Sequence, residues 1–155
     1  MFRDMPRESL YQFARQQVPC VGFNVRRATR LVTQFYDKML APSGLRSTQY
    51  SLLNVLSLTD ELRMQDLALV LAMDRTTLTR NLRPLIKQGL VKVSTGSDRR
   101  ARLVLLTSKG NDAMKKAVPF WEQAQAHITE RLGASNWDRV MGDLHKISML
   151  AEDGI

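Results

Sequence analysis

The chain has 155 residues, of which 44% are hydrophobic and 25% are charged, and this composition excludes an intrinsically disordered or membrane-embedded chain. The length suits one domain with its own core, since single domains commonly run to roughly 100–150 residues. Lysine and arginine number 23 against 15 aspartates and glutamates, which gives a formal net charge of +8. This excess is typical of proteins that bind polyanions, with nucleic acid the leading candidate and an anionic membrane surface the second.

The sequence predicts a cytoplasmic protein. No apolar run approaches the roughly 18–20 residues that span a bilayer, and the N-terminal residues mix acids with bases and lack the apolar centre of a signal peptide. The single cysteine, Cys20, has no partner for a disulfide within the chain, which fits a reducing compartment. His127 and His145 are isolated from each other, so we expect surface positions for both and no metal site.

A long helix is predicted near the start of the chain. From Pro19 onwards, apolar residues recur at three- and four-residue steps as far as Met39, and Pro42 and Gly44 end the pattern. The apolar surface is wider than one stripe, so we expect this helix to contact more than one neighbour, including a second subunit. Residues 1–46 are therefore assigned to an N-terminal arm and dimerisation helix.

A compact middle region is predicted at residues 47–107. Ser47 is a plausible N-cap for its first helix, and Leu62 to Met64 reads as a short extended connector. Gln65 to Ala72 and Asp74 to Gln88 then form two short helices joined by a tight turn, which is the helix-turn-helix arrangement.

The second of these short helices has one apolar and one cationic face. The apolar side is expected to carry Leu78, Leu82, Leu85 and Ile86, and the opposite side Thr76, Arg80, Arg83 and Lys87. Asp74 is a natural cap for the first turn, Pro84 should bend the helix on its outer face, and Gly89 should end it.

A β-hairpin and two further helices complete the chain. Val91 to Ser94 and Arg102 to Leu106 are aliphatic runs that flank a basic turn, which predicts a short hairpin. Residues 108–155 are assigned to C-terminal dimerisation helices. The first is capped by Thr107 or Ser108, bends at Pro119 and ends at Gly133, and the second opens with a capping box at Ser135-x-x-Asp138.

The cationic helix and the basic hairpin tip together predict a reader of duplex DNA. A helix fits a major groove, where arginine pairs with guanine and threonine contacts thymine or phosphate, and an arginine on a thin β-projection can enter a narrow minor groove. The candidate DNA-binding residues are Arg75, Thr76, Thr77, Thr79, Arg80, Arg83, Asp98, Arg99, Arg100 and Arg102. The alternatives are a solvated helix face, a turn-forming role for Asp98, and phosphate contact or simple exposure for Lys87.

Several motifs resemble the MarR family of bacterial transcriptional regulators. They are Gly44-Leu45-Arg46-Ser47-Thr48-Gln49-Tyr50, Asp74-Arg75-Thr76-Thr77-Leu78-Thr79-Arg80, Gly89-Leu90-Val91, Ser97-Asp98-Arg99-Arg100 and Leu106-Thr107-Ser108-Lys109-Gly110. The resemblance implies that Asp98 holds Arg100 ready for DNA. It also implies a two-fold dimer built from the first and last helices, and a small-molecule effector pocket between those helices and the DNA-binding part.

The expected fold is mainly α (α+β), a winged helix-turn-helix with long N- and C-terminal dimerisation helices. We expect a dimeric, sequence-specific transcriptional regulator and ligand-responsive repressor that reads the major groove with helix 74–88 and the minor groove with wing 91–106. A symmetric dimer predicts a pseudo-palindromic DNA site, and no membrane partner is expected. The alternatives are a winged-helix module that binds protein or RNA, and a redox-sensing regulator based on Cys20.

Two groups of residues suggest further sites. Phe35, Tyr36, Phe120 and Trp121 could line the effector pocket, although aromatic residues at helical spacing more often form plain core. Cys20 lies near a helix start, with Arg26 and Arg27 one to two turns further along, and this position could lower the pKa of its thiol, although a lone cysteine is more often a small buried hydrophobe. No nucleophile motif, phosphate loop or carboxylate pair is present, so we expect neither an enzyme nor a cofactor.

Overall fold

The computed structural model describes residues 6, 8–10, 12, 19–59, 61–95 and 102–152. In chain order, the elements are α1 (Val21–Leu40), a 3-10 turn (Ala41–Ser43), α2 (Ser47–Ser57), β1 (Leu62–Arg63), α3 (Met64–Val70), α4 (Arg75–Lys87), β2 (Val91–Thr95), β3 (Arg102–Leu106), α5 (Ser108–Leu132) and α6 (Ala134–Glu152). The predicted mainly helical fold with a helix-turn-helix and a hairpin between long helices is confirmed. Of the described helices, none combines the length and apolar character needed to cross a membrane.

The contacts within the chain define two compact units, Met1–Phe35 and Tyr36–Ile155. The second unit contains the helix-turn-helix, the strands and both C-terminal helices. The division into residues 1–46, 47–107 and 108–155 stays a prediction. It divides the chain by expected role, dimerisation or DNA binding, and not by compactness.

The strands form an antiparallel sheet in the order β1-β3-β2. β2 and β3 form the predicted hairpin, with Val91 opposite Leu106 and Thr95 opposite Arg102. The predicted extended segment at Leu62 to Met64 is confirmed for Leu62 and Arg63, which form β1 and pair with Val104 and Leu103, whereas Met64 already belongs to α3. A two-residue strand has no periodicity of its own, and its hydrogen-bond partners lie about forty residues away in the sequence.

The core of the second unit is built mainly from leucines. On α4, the predicted inward residues Leu78, Leu82 and Leu85 are 0–1% exposed, and they share the core with residues of α2, α3 and β3. The prediction for Ile86 was wrong, because its side chain is 42% exposed. One residue beyond Leu85 is a rotation of 100°, which carries Ile86 from the core to the edge that faces the hairpin.

The helix ends follow the predicted chemistry in most places. Asp74 caps α4 and Thr107 caps α5, where the threonine hydroxyl oxygen accepts a hydrogen bond from the Gly110 N–H at 3.0 Å. Gly89 and Gly133 both have positive φ, as residues that end helices commonly do.

Two predicted caps were wrong. The N-cap position of α2 is held by Arg46, whose N–H donates to Gln49 Oε1 at 2.9 Å. Ser47 is the first residue of the helix, and its N–H and hydroxyl both donate to Asp37 Oδ1 at 2.7 Å, so α1 supplies the cap. Ser135 lies inside α6, which begins at Ala134, so Ser135 is not at the N-cap position that the predicted capping box requires.

The turn between α3 and α4 contains a strained residue. Ala72 has φ of 49°, in the left-handed region that alanine rarely adopts. Its N–H donates to the carbonyl oxygen of Leu69 at 3.0 Å, and the Met73 N–H donates to that of Ala68 at 2.9 Å. This pair of hydrogen bonds is the Schellman arrangement, in which glycine is the usual residue at the position of Ala72.

We expect Ala72→Gly to stabilise the protein by up to about 1 kcal/mol, because relief of the left-handed strain exceeds the extra entropy of glycine in the unfolded chain. Urea unfolding followed by circular dichroism measures the change. The control is Ala126→Gly at an exposed position inside α5, which should destabilise the protein by about 1 kcal/mol. Equal destabilisation by both changes would contradict the strain at Ala72.

Candidate nucleic-acid interface

The first turn of α4 is fixed by Asp74. Its Oδ1 accepts a hydrogen bond from the Thr77 N–H at 2.8 Å, and its Oδ2 accepts one from the Thr77 hydroxyl at 2.6 Å. These hydrogen bonds lower the pKa of the Asp74 carboxyl, and the bond from the Thr77 hydroxyl has the largest effect. Thr77 is half-buried, whereas the other predicted DNA-binding residues of α4 are exposed.

The remaining predicted residues of α4 form an exposed face. Buried leucines occupy the opposite side of the helix, and Thr79 donates its hydroxyl to the Arg75 carbonyl oxygen at 2.7 Å. The exposed members of the predicted set are Arg75, Thr76, Thr79, Arg80 and Arg83. No ion pair is found for these arginines among the described residues, so the face carries positive charge that is available to an anionic partner.

A cleft of about 110 Å³ lies between α4 and the hairpin. Its apolar walls are formed by Met64, Leu82, Ile86 and Val93. Its polar and cationic groups come from Arg75, Thr79, Arg83 and Arg102. Four of the predicted DNA-binding residues therefore meet in one place. Among the described residues no carboxylate lines this cleft, so three guanidinium groups define its charge.

The register of the hairpin brings Arg102 to this cleft. Arg102 pairs with Thr95 at the outer end of the sheet, and Val104 pairs with Val93 two residues further along. Because alternate residues of a strand share a face, Arg102 and the fully buried Val104 point to the same side of the sheet. The core-facing side of β3 therefore ends in an arginine beside α4.

Three residues of the predicted wing tip, Asp98, Arg99 and Arg100, lie outside the described residues, so the pairing of Asp98 with Arg100 stays a prediction. Lys87 is exposed in the last turn of α4, which agrees with its assignment to phosphate contact or solvent.

The apolar part of the cleft is not predicted from the sequence, which places Met64 in a connector, Ile86 in the core and Val93 in a strand. The alternation of β2 and the position of Ile86 at the edge of the apolar face could have indicated a surface between helix and hairpin, but the packing of the two elements decides that they meet.

Three of the four aromatic residues predicted for an effector pocket pack against the core. Trp121 stacks on Tyr50 with ring centroids 5.8 Å apart, and Phe120 and Tyr36 contact the same cluster. The Tyr36 hydroxyl hydrogen bonds to Gln125 Oε1, and burial raises the pKa of Tyr36. These contacts give the residues a structural role. Their part in a ligand pocket, and that of the half-buried Phe35, stays a prediction.

The other predicted positions are on the surface. Cys20 is exposed, and so are His127 and His145, as expected for the histidines. Within the described ranges, no group of three or more His, Cys, Asp or Glu side chains could hold a metal ion.

Comparison with known proteins shows to which family the chain is similar. A model described as MarR family matches residues 43–101, which run from the last residue of the 3-10 turn before α2 to the residue before β3. A crystal structure of the M. tuberculosis transcriptional regulator MosR in complex with DNA is 43% identical, with a TM-score of 0.80, and the match covers 86% of this chain and 97% of MosR. The chain belongs to the MarR family.

Two further structures resemble this MarR-family chain at lower identity. The transcriptional repressor CouR, bound to a 23-mer DNA duplex, is 27% identical with a TM-score of 0.76, and the match covers 83% of this chain and 92% of CouR. Bordetella bronchiseptica BpsR, whose DNA binding is regulated by 6-hydroxynicotinic acid, is 27% identical with a TM-score of 0.73, and the match covers 83% and 98%.

The cap of α4 gives this MarR-family chain a pH-dependent contribution to stability. Because the folded state lowers the pKa of Asp74, the contribution is complete above the ordinary carboxyl pKa and is lost as pH falls through the lowered value. We expect Asp74→Asn to lower the melting temperature at neutral pH, and the difference from the unmodified protein to shrink as pH falls below the ordinary carboxyl pKa. Asp112→Asn on α5 is the matched control, and an equal pH dependence for both variants would contradict the assignment.

Proposed function

We propose that this MarR-family chain is a dimeric, sequence-specific DNA-binding regulator of transcription that acts as a repressor and is released from DNA by a small molecule. The observation that carries the proposal is the convergence of Arg75, Arg83 and Arg102 on a cleft that no described carboxylate lines, beside an exposed helix face that also carries Arg80. The complexes of the related MosR and CouR with DNA support it.

The two elements of this surface suit the two grooves of duplex DNA. α4 enters the major groove, with its N-terminal turn deepest and Arg80 or Arg83 within reach of base edges. The wing at residues 91–106 follows the adjacent backbone into the minor groove, where negative potential attracts Arg102 and the predicted Arg99 and Arg100. The alternative partner classes, RNA or protein, do not require arginines on both elements.

An unpartnered apolar surface on α6 supports the dimer. Val140, Leu144 and Ile147 recur at helical spacing and are 37–45% exposed, and Leu150 extends the same row. A second copy of the chain would bury this row about a two-fold axis. The dimer would present two copies of α4 to half-sites about one helical turn apart.

Regulation of this chain by a small molecule is supported by one of its relatives. Regulation of BpsR by a small molecule supports an effector for this chain, and the predicted pocket residues Phe35, Tyr36, Phe120 and Trp121 are the candidates to bind it. Such a protein needs no cofactor and no catalytic group, and it acts in the cytoplasm with the chromosome. No observation favours redox sensing, since exposure of a lone Cys20 does not by itself make a sensor.

We expect Arg80→Ala to weaken operator binding by about 1–3 kcal/mol, because a base or phosphate contact on the exposed face of α4 is lost. Fluorescence anisotropy on duplexes selected from genomic DNA measures the affinity. Binding of the unmodified protein should weaken steeply with added salt, and Arg100→Ala should also reduce affinity. Arg131→Ala in the last turn of α5 is the control, and unchanged affinity in both test variants would refute the interface.

We expect Leu144→Glu to shift the protein from dimer to monomer, because a carboxylate would be placed in an apolar interface. Sedimentation velocity measures the mass, and affinity for a two-half-site operator should fall by at least about tenfold. Arg139→Glu, on another side of α6, should leave the mass unchanged. A dimer with full affinity in the Leu144 variant would exclude this face from the interface.

A further inference from the structure

The C-terminal end of α4 is tied to the first turn of α5. The Thr107 hydroxyl donates to the carbonyl oxygen of Gly89 at 2.7 Å, and the Thr107 N–H donates to that of Leu90 at 3.1 Å. Lys109 Nζ donates to the carbonyl oxygen of Gln88 at 2.9 Å. We call this set of contacts the carbonyl clamp. Its positive donor lies at the negative end of the α4 dipole, where carbonyls lack partners within the helix.

A close approach of two backbones completes the clamp. Gly110 is buried, and a Cβ at this position would overlap the carbonyl oxygen of Leu90. Only glycine therefore lets the first turn of α5 lie directly against the chain that leaves α4. The Thr107 hydroxyl accepts from the Gly110 N–H while it donates to Gly89, so one side chain both caps α5 and holds the end of α4.

α5 connects the clamp to the surface proposed for dimerisation. It runs for 25 residues from Ser108 to Leu132, and α6 with its exposed apolar row follows after Gly133. In a symmetric dimer, the angle between α4 and α5 sets the distance between the two copies of α4. The second half-site adds affinity only when this distance matches the spacing on DNA.

We propose that Lys109 is a positioning residue for DNA recognition: its ammonium group locks the end of α4 to α5 and thereby sets the spacing between the two recognition helices. This inference rests on the proposed function. Lys109 acts through the backbone of α4 rather than by contact with DNA. Its loss therefore loosens the match to two half-sites while leaving each α4 able to bind one half-site.

The test compares the unmodified 155-residue chain with Lys109→Met, which keeps a long unbranched side chain and removes the donor. The probes are a two-half-site duplex selected from genomic DNA, the same duplex with one half-site scrambled, and versions whose half-site spacing is changed by one base pair. We expect the variant to bind the two-half-site duplex about tenfold more weakly and the single half-site like the unmodified protein. It should also lose less affinity than the unmodified protein when the spacing changes.

Two further variants separate positioning from charge. Lys109→Arg keeps a cationic donor and should restore the spacing preference, whereas Lys116→Met removes the same charge from an exposed position on α5 and should leave that preference unchanged. Melting temperature and dimer mass should remain close to those of the unmodified protein, since Lys109 is exposed.

The outcomes are distinguishable. Equal weakening on both duplexes with a smaller salt dependence would mean that Lys109 contacts phosphate directly, and it would overturn the positioning role. An unchanged spacing preference in Lys109→Met would overturn it as well. If the unmodified protein bound none of the duplexes, the proposed function itself would fail.

Discussion

Burial of the leucine face of α4 is the interaction on which the arrangement of the other parts depends. Leu78, Leu82 and Leu85 are 0–1% exposed and pack in a core that includes Leu67 of α3 and Val104 of β3. Full burial of a leucine side chain contributes roughly 1.5–3 kcal/mol. Because the helix turns by 100° per residue, burying this face directs the intervening arginines outward. The cationic surface is thus a geometric consequence of the apolar one.

Both ends of α4 are also restrained by specific polar contacts. At the start, Asp74 accepts two hydrogen bonds from Thr77, and at the end, Thr107 and Lys109 hold the carbonyls that follow the helix. A recognition element held at its core face and at both ends loses little conformational entropy on binding, which favours specific recognition of DNA. The carbonyl clamp gives α5 a direct mechanical connection to this element.

The sequence predicted local features more reliably than contacts between distant segments. The cap at Asp74 and the helix stop at Gly89 depend on residues within one turn of each other, and both predictions were confirmed. The cap on Ser47 comes instead from Asp37 on another helix, and β1 exists only because β3 lies beside it. Neither relation leaves a local pattern. Ile86 was assigned to the core because a helical wheel has no sharp boundary between faces, and the packed hairpin decides which side it takes.

The sequence by itself determined the family motifs, the order of the main elements and the cationic character of α4, because these follow from residue type and helical periodicity. Arg80 and Arg83 are exposed as the periodicity predicts. Only the tertiary structure decided that Arg102 lies in one cleft with Arg75 and Arg83, and that Lys109 reaches the carbonyl of Gln88. The physical reason is that both arrangements depend on the register of the hairpin and on the close approach at Gly110. Residues distant along the chain set these distances, and no local periodicity encodes them.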